Sequence, residues 1–176
     1  MLRFCTAVLA LGASSLSAQT PSKWCQYFPR GLDTIVNQHR EAAAQSDISV
    51  TGDPFPSRLT LRYTGEGRPL TPDRRDFLGK YFRFLRQPER ADLFAHELQF
   101  QADSGRTYWF PIQETMLPEF QAEVAPGDSS TLFLLWAGVY GPRGGSKDWV
   151  FLINEFTSSK STTYWSGQLA TCSHEN

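Results

Sequence analysis

Residues 131–140 read Thr-Leu-Phe-Leu-Leu-Trp-Ala-Gly-Val-Tyr, and Trp149 to Phe156 repeats this nearly unbroken apolar character. A strand with one wet face alternates apolar and polar residues. A strand that does not alternate is covered on both faces. Two such strands, joined by the Gly-rich loop Gly141-Pro142-Arg143-Gly144-Gly145-Ser146-Lys147-Asp148, predict a hairpin in the middle of the fold, with further layers on either side.

The rest of the chain supplies those layers. Residues 58–64 alternate Leu59, Leu61 and Tyr63 with Arg58, Thr60, Arg62 and Thr64, which predicts a half-buried strand ended by Gly65-Glu66-Gly67-Arg68-Pro69. A helix follows over Thr71–Gln87. Thr71 is an N-cap, Pro72 suits the first helical position, and Asp73 and Asp76 complement the positive end of the helix dipole. Phe77, Leu78, Tyr81, Phe82 and Leu85 form its apolar stripe, Arg74, Arg75, Lys80, Arg83 and Arg86 the opposite side, and Pro88 the stop. A hairpin spans 92–101 and 106–112 around the turn Asp103-Ser104-Gly105-Arg106. A first helix is expected over Leu32–Gln45, an extended lead-in over 19–30, and a loop over 46–57. A short helix interrupted near Pro118 is expected within 113–124, and a short edge strand over Thr163–Leu169.

With antiparallel hairpins dominant and no strand–helix–strand alternation, the fold class is α+β. The expectation is a curved antiparallel sheet or small open β-barrel packed against one amphipathic helix, with an N-terminal helix; a five-stranded Greek-key barrel of the OB type is favoured. The residues do not fix the strand order.

The compartment is read from the N-terminus. Arg3, a short apolar run and the small residues around Ser14–Ala18 have the form of a secretory signal peptide over residues 1–18, leaving 19–176 as a single globular domain. The apolar run is shorter than the roughly 20 residues a spanning helix needs, so no membrane span is expected after its removal. The mature chain then keeps two cysteines, Cys25 and Cys172, one near each end. An oxidising compartment favours their pairing, and in the chain-entropy model closing so long a loop contributes about 5 kcal/mol at most. The localisation expected is secreted or periplasmic.

Function is less legible. The formal net charge of −1 gives no general attraction to nucleic acid, and nucleic acid is not an expected partner. Phosphate-loop, HExxH, GxSxG and EF-hand signatures are missing, and two distant cysteines make a poor zinc set, so neither cofactor nor metal is expected. Charge is unevenly distributed. Residues 51–90 hold nine basic and five acidic groups, whereas 91–176 hold four and ten. Arginine dominates the basic stretch, and its planar fork suits carboxylate or phosphate.

The leading expectation is therefore an exported binding domain without catalytic machinery. It would contact a protein or a small anionic ligand through the Arg-bearing face with Arg58, Arg62 and Arg83, or through the Gly-rich tip with Arg143 and Lys147. Trp109, with Tyr108 or Tyr140, is a candidate for lining a groove. The alternative is an exported hydrolase pairing His96 with Glu155 or Glu114, although the favoured role for His96 is a hydrogen-bonded core histidine. Glu155, in an apolar strand, is expected to pair with an arginine.

Overall fold

The computed structural model describes residues 22–37, 49–52, 56–140, 147–170 and 172. Its centre is a five-stranded barrel made of β3 (Ser57–Pro69), β4 (Phe94–Gln101), β5 (Thr107–Gln113), β6 (Ser129–Tyr140) and β7 (Lys147–Thr157). Around the barrel the order is β3-β4-β5-β7-β6, and β6 returns to β3. Numbered by appearance, the barrel strands run 1-2-3-5-4-1, the Greek-key order of the expected OB type. Every barrel pairing is antiparallel except β5 with β7, which meet in parallel at Ile112 and Ile153. Two short strands extend the sheet: β1 (Phe28–Pro29) beside β3, and β2 (Ser49–Gly52) beside β6.

Closure depends on β3. Its first half, Ser57–Arg62, pairs with β6, while Arg62–Pro69 pairs with β4 across an irregularity between Tyr63 and Gly67. The Gly65-Glu66-Gly67 stretch thus bends the strand instead of ending it. Gly65 has φ 93°, and a Cβ there would lie 2.8 Å from Cβ of Pro126. Only glycine meets both conditions at low strain.

The interior holds Leu59, Leu61, Leu98, Phe100, Phe110, Ile112, Leu132, Leu134, Trp136, Phe151 and Ile153. The Trp136 indole lies so close over Gly138 that a Cβ there would meet it at 2.2 Å. Outside the barrel, α2 (Pro72–Phe84) lays Phe77, Leu78, Tyr81 and Phe82 on Ala137, Val150 and Leu152. Each such buried side chain contributes roughly 2 kcal/mol. A third cluster packs Trp24, Tyr27 and Trp165 on Phe133. Two outer layers therefore cover β6 and β7, which explains why their sequences do not alternate.

The third cluster is tied by sulfur. Cys25, in the 3-10 turn Lys23–Gln26, and Cys172, just beyond α4 (Thr162–Ala170), form a disulfide of S–S 2.04 Å across a sequence separation of 147. Ser22 Oγ donates to Gln168 Oε1 at 3.0 Å beside it. No helix among the described residues is long and apolar enough to cross a membrane.

Several local expectations need correction. Thr163–Leu169 lies within helix α4, not an edge strand, because the helix buries Trp165 on Phe133 and Trp24 while Tyr164 stays outside. The 46–57 loop contains β2, and the extended lead-in contains a 3-10 turn. Pro118 opens α3 (Leu117–Glu123) at its first turn, where its missing N–H is harmless. Helix α2 ends at Phe84, followed by Arg86 at φ 59° and a 3-10 helix over Pro88–Leu93; Leu85 is consequently exposed. The first helix, α1, is described over 32–37, and its expected extension to Gln45 lies outside the described residues, as do residues 1–18 and the tip 141–146.

Candidate functional site

The parallel contact between β5 and β7 is a single residue pair, Ile112 with Ile153. Toward Thr107 and Trp149 the two strand edges face each other with no ladder pairing among the described residues. A cleft of about 420 Å³ occupies this seam. Phe110 and Phe151 meet edge-to-face at 5.8 Å across its floor, and Tyr108, Trp109 and Trp149 stand half-buried around it. Tyr108 Oη donates to Asp33 Oδ1 of α1 at 3.2 Å, which fixes the ring at the rim. The first turn of α2 forms the roof with Thr71, Asp73, Arg74 and Phe77.

Arg74 does not join the solvated side of α2 as its sequence position suggests. The Thr71 cap accepts from its backbone N–H at 3.3 Å, and its side chain turns back toward the sheet. There Nη1 donates to the Trp149 carbonyl at 3.0 Å, and Nε lies 3.8 Å from Oε2 of Glu97. Glu97, on the outer face of β4, has a side chain only 1 % exposed. Its other oxygen takes a 2.6 Å ion pair from Arg68 Nε, and the Arg68 guanidinium stacks 3.9 Å above the Trp109 ring. One buried carboxylate thus holds two arginines and, through them, the seam's roof and its outer tryptophan. Position 97 reads as the solvent side of an amphipathic strand, so the sequence pattern concealed it. A usable signal was the arginine-rich stretch, which needs an acid wherever it packs on the sheet.

The sequence-nominated residues are dispersed. Trp109 lines the seam. Arg58 lies in a separate groove beside α4, Arg83 in a shallow one along α2, and Arg62 is exposed with Nε donating to the Gly127 carbonyl at 3.1 Å. Arg143 lies outside the described residues, as do the side chains of Lys147 and Tyr140.

His96 is not core. A register shift between Phe94 and His96 moves it to a half-exposed position, where Nδ1 lies 2.9 Å from Glu114 Oε1. The same oxygen accepts from the Ala95 backbone N–H at 3.1 Å. Glu155 is not part of that pair, nor does it pair with an arginine among the described residues. A shift between Phe133 and Leu134 places it opposite Phe133, where it accepts from the Phe156 backbone N–H at 3.0 Å. Burial raises its pKa, the Phe156 hydrogen bond opposes that rise, Glu119 adds to it and Lys23 lowers it. Neighbouring Tyr27 is also raised, mainly by burial.

Among the described residues no group of three or more His, Cys, Asp or Glu is placed to hold a metal ion. No protein-family model, curated protein or solved structure matches the chain.

Proposed function

We propose that the mature chain is an exported, non-catalytic binding module that takes up an extended segment of a partner polypeptide along the seam between β5 and β7. The supporting observation is the seam itself: two facing strand edges, an aromatic floor, and an arginine already bonded to the Trp149 carbonyl. A strand entering there would satisfy main-chain donors and acceptors that the barrel leaves without a ladder, while Tyr108, Trp109 and Trp149 would grip alternate side chains. The disulfide and the lack of a membrane-length helix among the described residues are compatible with a location outside the cytosol. Residues 1–18 would direct export. A hydrolase reading draws support from the His96–Glu114 contact, but neither residue lines the seam, and among the described residues no Ser, Cys or Thr side chain is bonded to His96.

Site-specific photocrosslinking in the native host tests the proposal. A photoreactive residue at Thr107, exposed on the seam's rim, is expected to capture a polypeptide, whereas one at Gln121, exposed on α3, is not. Capture from Gln121 alone, or from neither position, contradicts it.

A further inference from the structure

A second cavity lies on the other side of the barrel. Strand β3 turns Arg58, Thr60 and Arg62 outward, and Arg58 stands opposite Phe133 of β6. Phe133 is fully buried beneath Trp24, Tyr27 and Trp165, so Arg58 borders the third hydrophobic cluster. It lies in a groove of about 570 Å³ whose walls include Pro29 and Arg30 on one side and Trp165 and Leu169 of α4 on the other. The Thr60 and Thr131 hydroxyls meet there at 2.8 Å.

Arg58 is unlike the other described arginines. Its Nη1 is buried, with no hydrogen-bond partner among the described residues. Burial lowers its pKa, and no carboxylate among the described residues offsets that effect. The residue as a whole is half-buried and lines the groove, where a guanidinium can pair with an anion.

We propose that this groove is a second binding site, selective for a carboxylate carried on an apolar body. The guanidinium fork matches a carboxylate in two parallel hydrogen bonds, and Trp165, Leu169 and Pro29 offer an apolar wall beside it. Asp103, also on the groove, opposes a dianion and so favours carboxylate over phosphate. The inference does not depend on the seam, which lies between different strands.

Calorimetric titration of the oxidised 19–176 chain tests it, with N-acetyl-phenylalanine, its methyl ester, phenyl phosphate and acetyl-Gly-Gly-Phe as probes. N-acetyl-phenylalanine is expected to bind saturably and the ester at least about tenfold more weakly. Phenyl phosphate is expected to bind more weakly than the acid. The peptide with a free C-terminus separates the two natural sources of such a group: tighter binding than the single amino acid assigns a chain terminus, and weaker binding a small organic acid. Arg58→Gln is expected to weaken the acid about tenfold or more, Arg58→Lys to fall between, and Arg62→Gln to leave binding unchanged. Equal binding of acid and ester, tighter binding of the phosphate, indifference to Arg58→Gln, or no saturable binding up to about 10 mM would overturn the proposal. Should Arg58→Gln not fold, the acid–ester comparison on the unaltered chain still decides.

Discussion

Arg58 and Arg68 project from the same strand ten residues apart and meet opposite surroundings. Arg68 stacks on Trp109 and closes a 2.6 Å ion pair with the buried Glu97. Arg58 has a buried Nη1 with no hydrogen-bond partner and no carboxylate offsetting its burial among the described residues. Strand geometry is common to both, so neighbouring chemistry makes the difference. Around Arg68 the fold brings its own counter-ion, and the charge becomes part of the scaffold that roofs the seam. Around Arg58 the fold brings threonines and an indole, with Asp103 elsewhere on the groove, and no ion pair to Arg58 forms among the described residues. A site that the fold leaves electrostatically incomplete is one that an external group can complete.

Breaking the Cys25–Cys172 bridge should have the largest effect. The double serine variant is expected to lose up to about 5 kcal/mol in denaturant unfolding. Because the bridge anchors α4, which walls the Arg58 groove, carboxylate binding should fall while the Arg68–Glu97 side keeps its hydrogen-exchange protection. Next is Glu97→Gln, expected to cost about 3 kcal/mol in the same assay, since it strands two arginines that share one carboxylate. Trp109→Ala should cost about 2 kcal/mol, less than a fully buried ring, by removing a half-buried indole and its contact with Arg68.

The smallest effect is a pH dependence at Glu155, which flanks Phe133 on the side opposite Arg58. Its folded pKa is raised above 4.5, chiefly by burial. The folded state therefore holds that proton more tightly than the unfolded chain. The contribution to stability is complete below the unfolded value and is lost as pH rises through the folded one. Glu155→Gln should thus gain on the unaltered chain between about pH 4 and about pH 7 in parallel urea unfolding. An unchanged difference across that interval would place Glu155 in an environment indifferent to its charge.

Local chemistry made parts of this fold legible. Thr71, Pro72 and the spacing of Phe77, Leu78, Tyr81 and Phe82 define α2, and the unbroken apolar character of 131–140 requires the two outer layers. The bend in β3 was hidden because Gly65 and Gly67 serve equally to stop a strand or to bulge it; the choice depends on β4 and Pro126, which are distant in sequence. Helix α4 was misread because Thr162-Thr163-Tyr164-Trp165 has strand-like propensity, and only the docking of Trp165 on Phe133 reverses it. Among the site residues, Trp109 was legible as a candidate groove-lining aromatic, and it lines the seam. Glu97 was not, since alternation marks a position as outward-facing without revealing that a helix and two arginines cover it.

The contrast between the two arginines is tested most directly by unfolding Arg58→Met and Arg68→Met side by side under identical conditions. Arg68→Met is expected to lose about 2 kcal/mol, a figure reduced because Arg68 is 44 % exposed. Arg58→Met is expected to be as stable as the unaltered chain or more so, because methionine fills the same space without an unmet charge. A loss at Arg58 equal to or greater than that at Arg68 would contradict the distinction between a charge the fold satisfies and one it holds open.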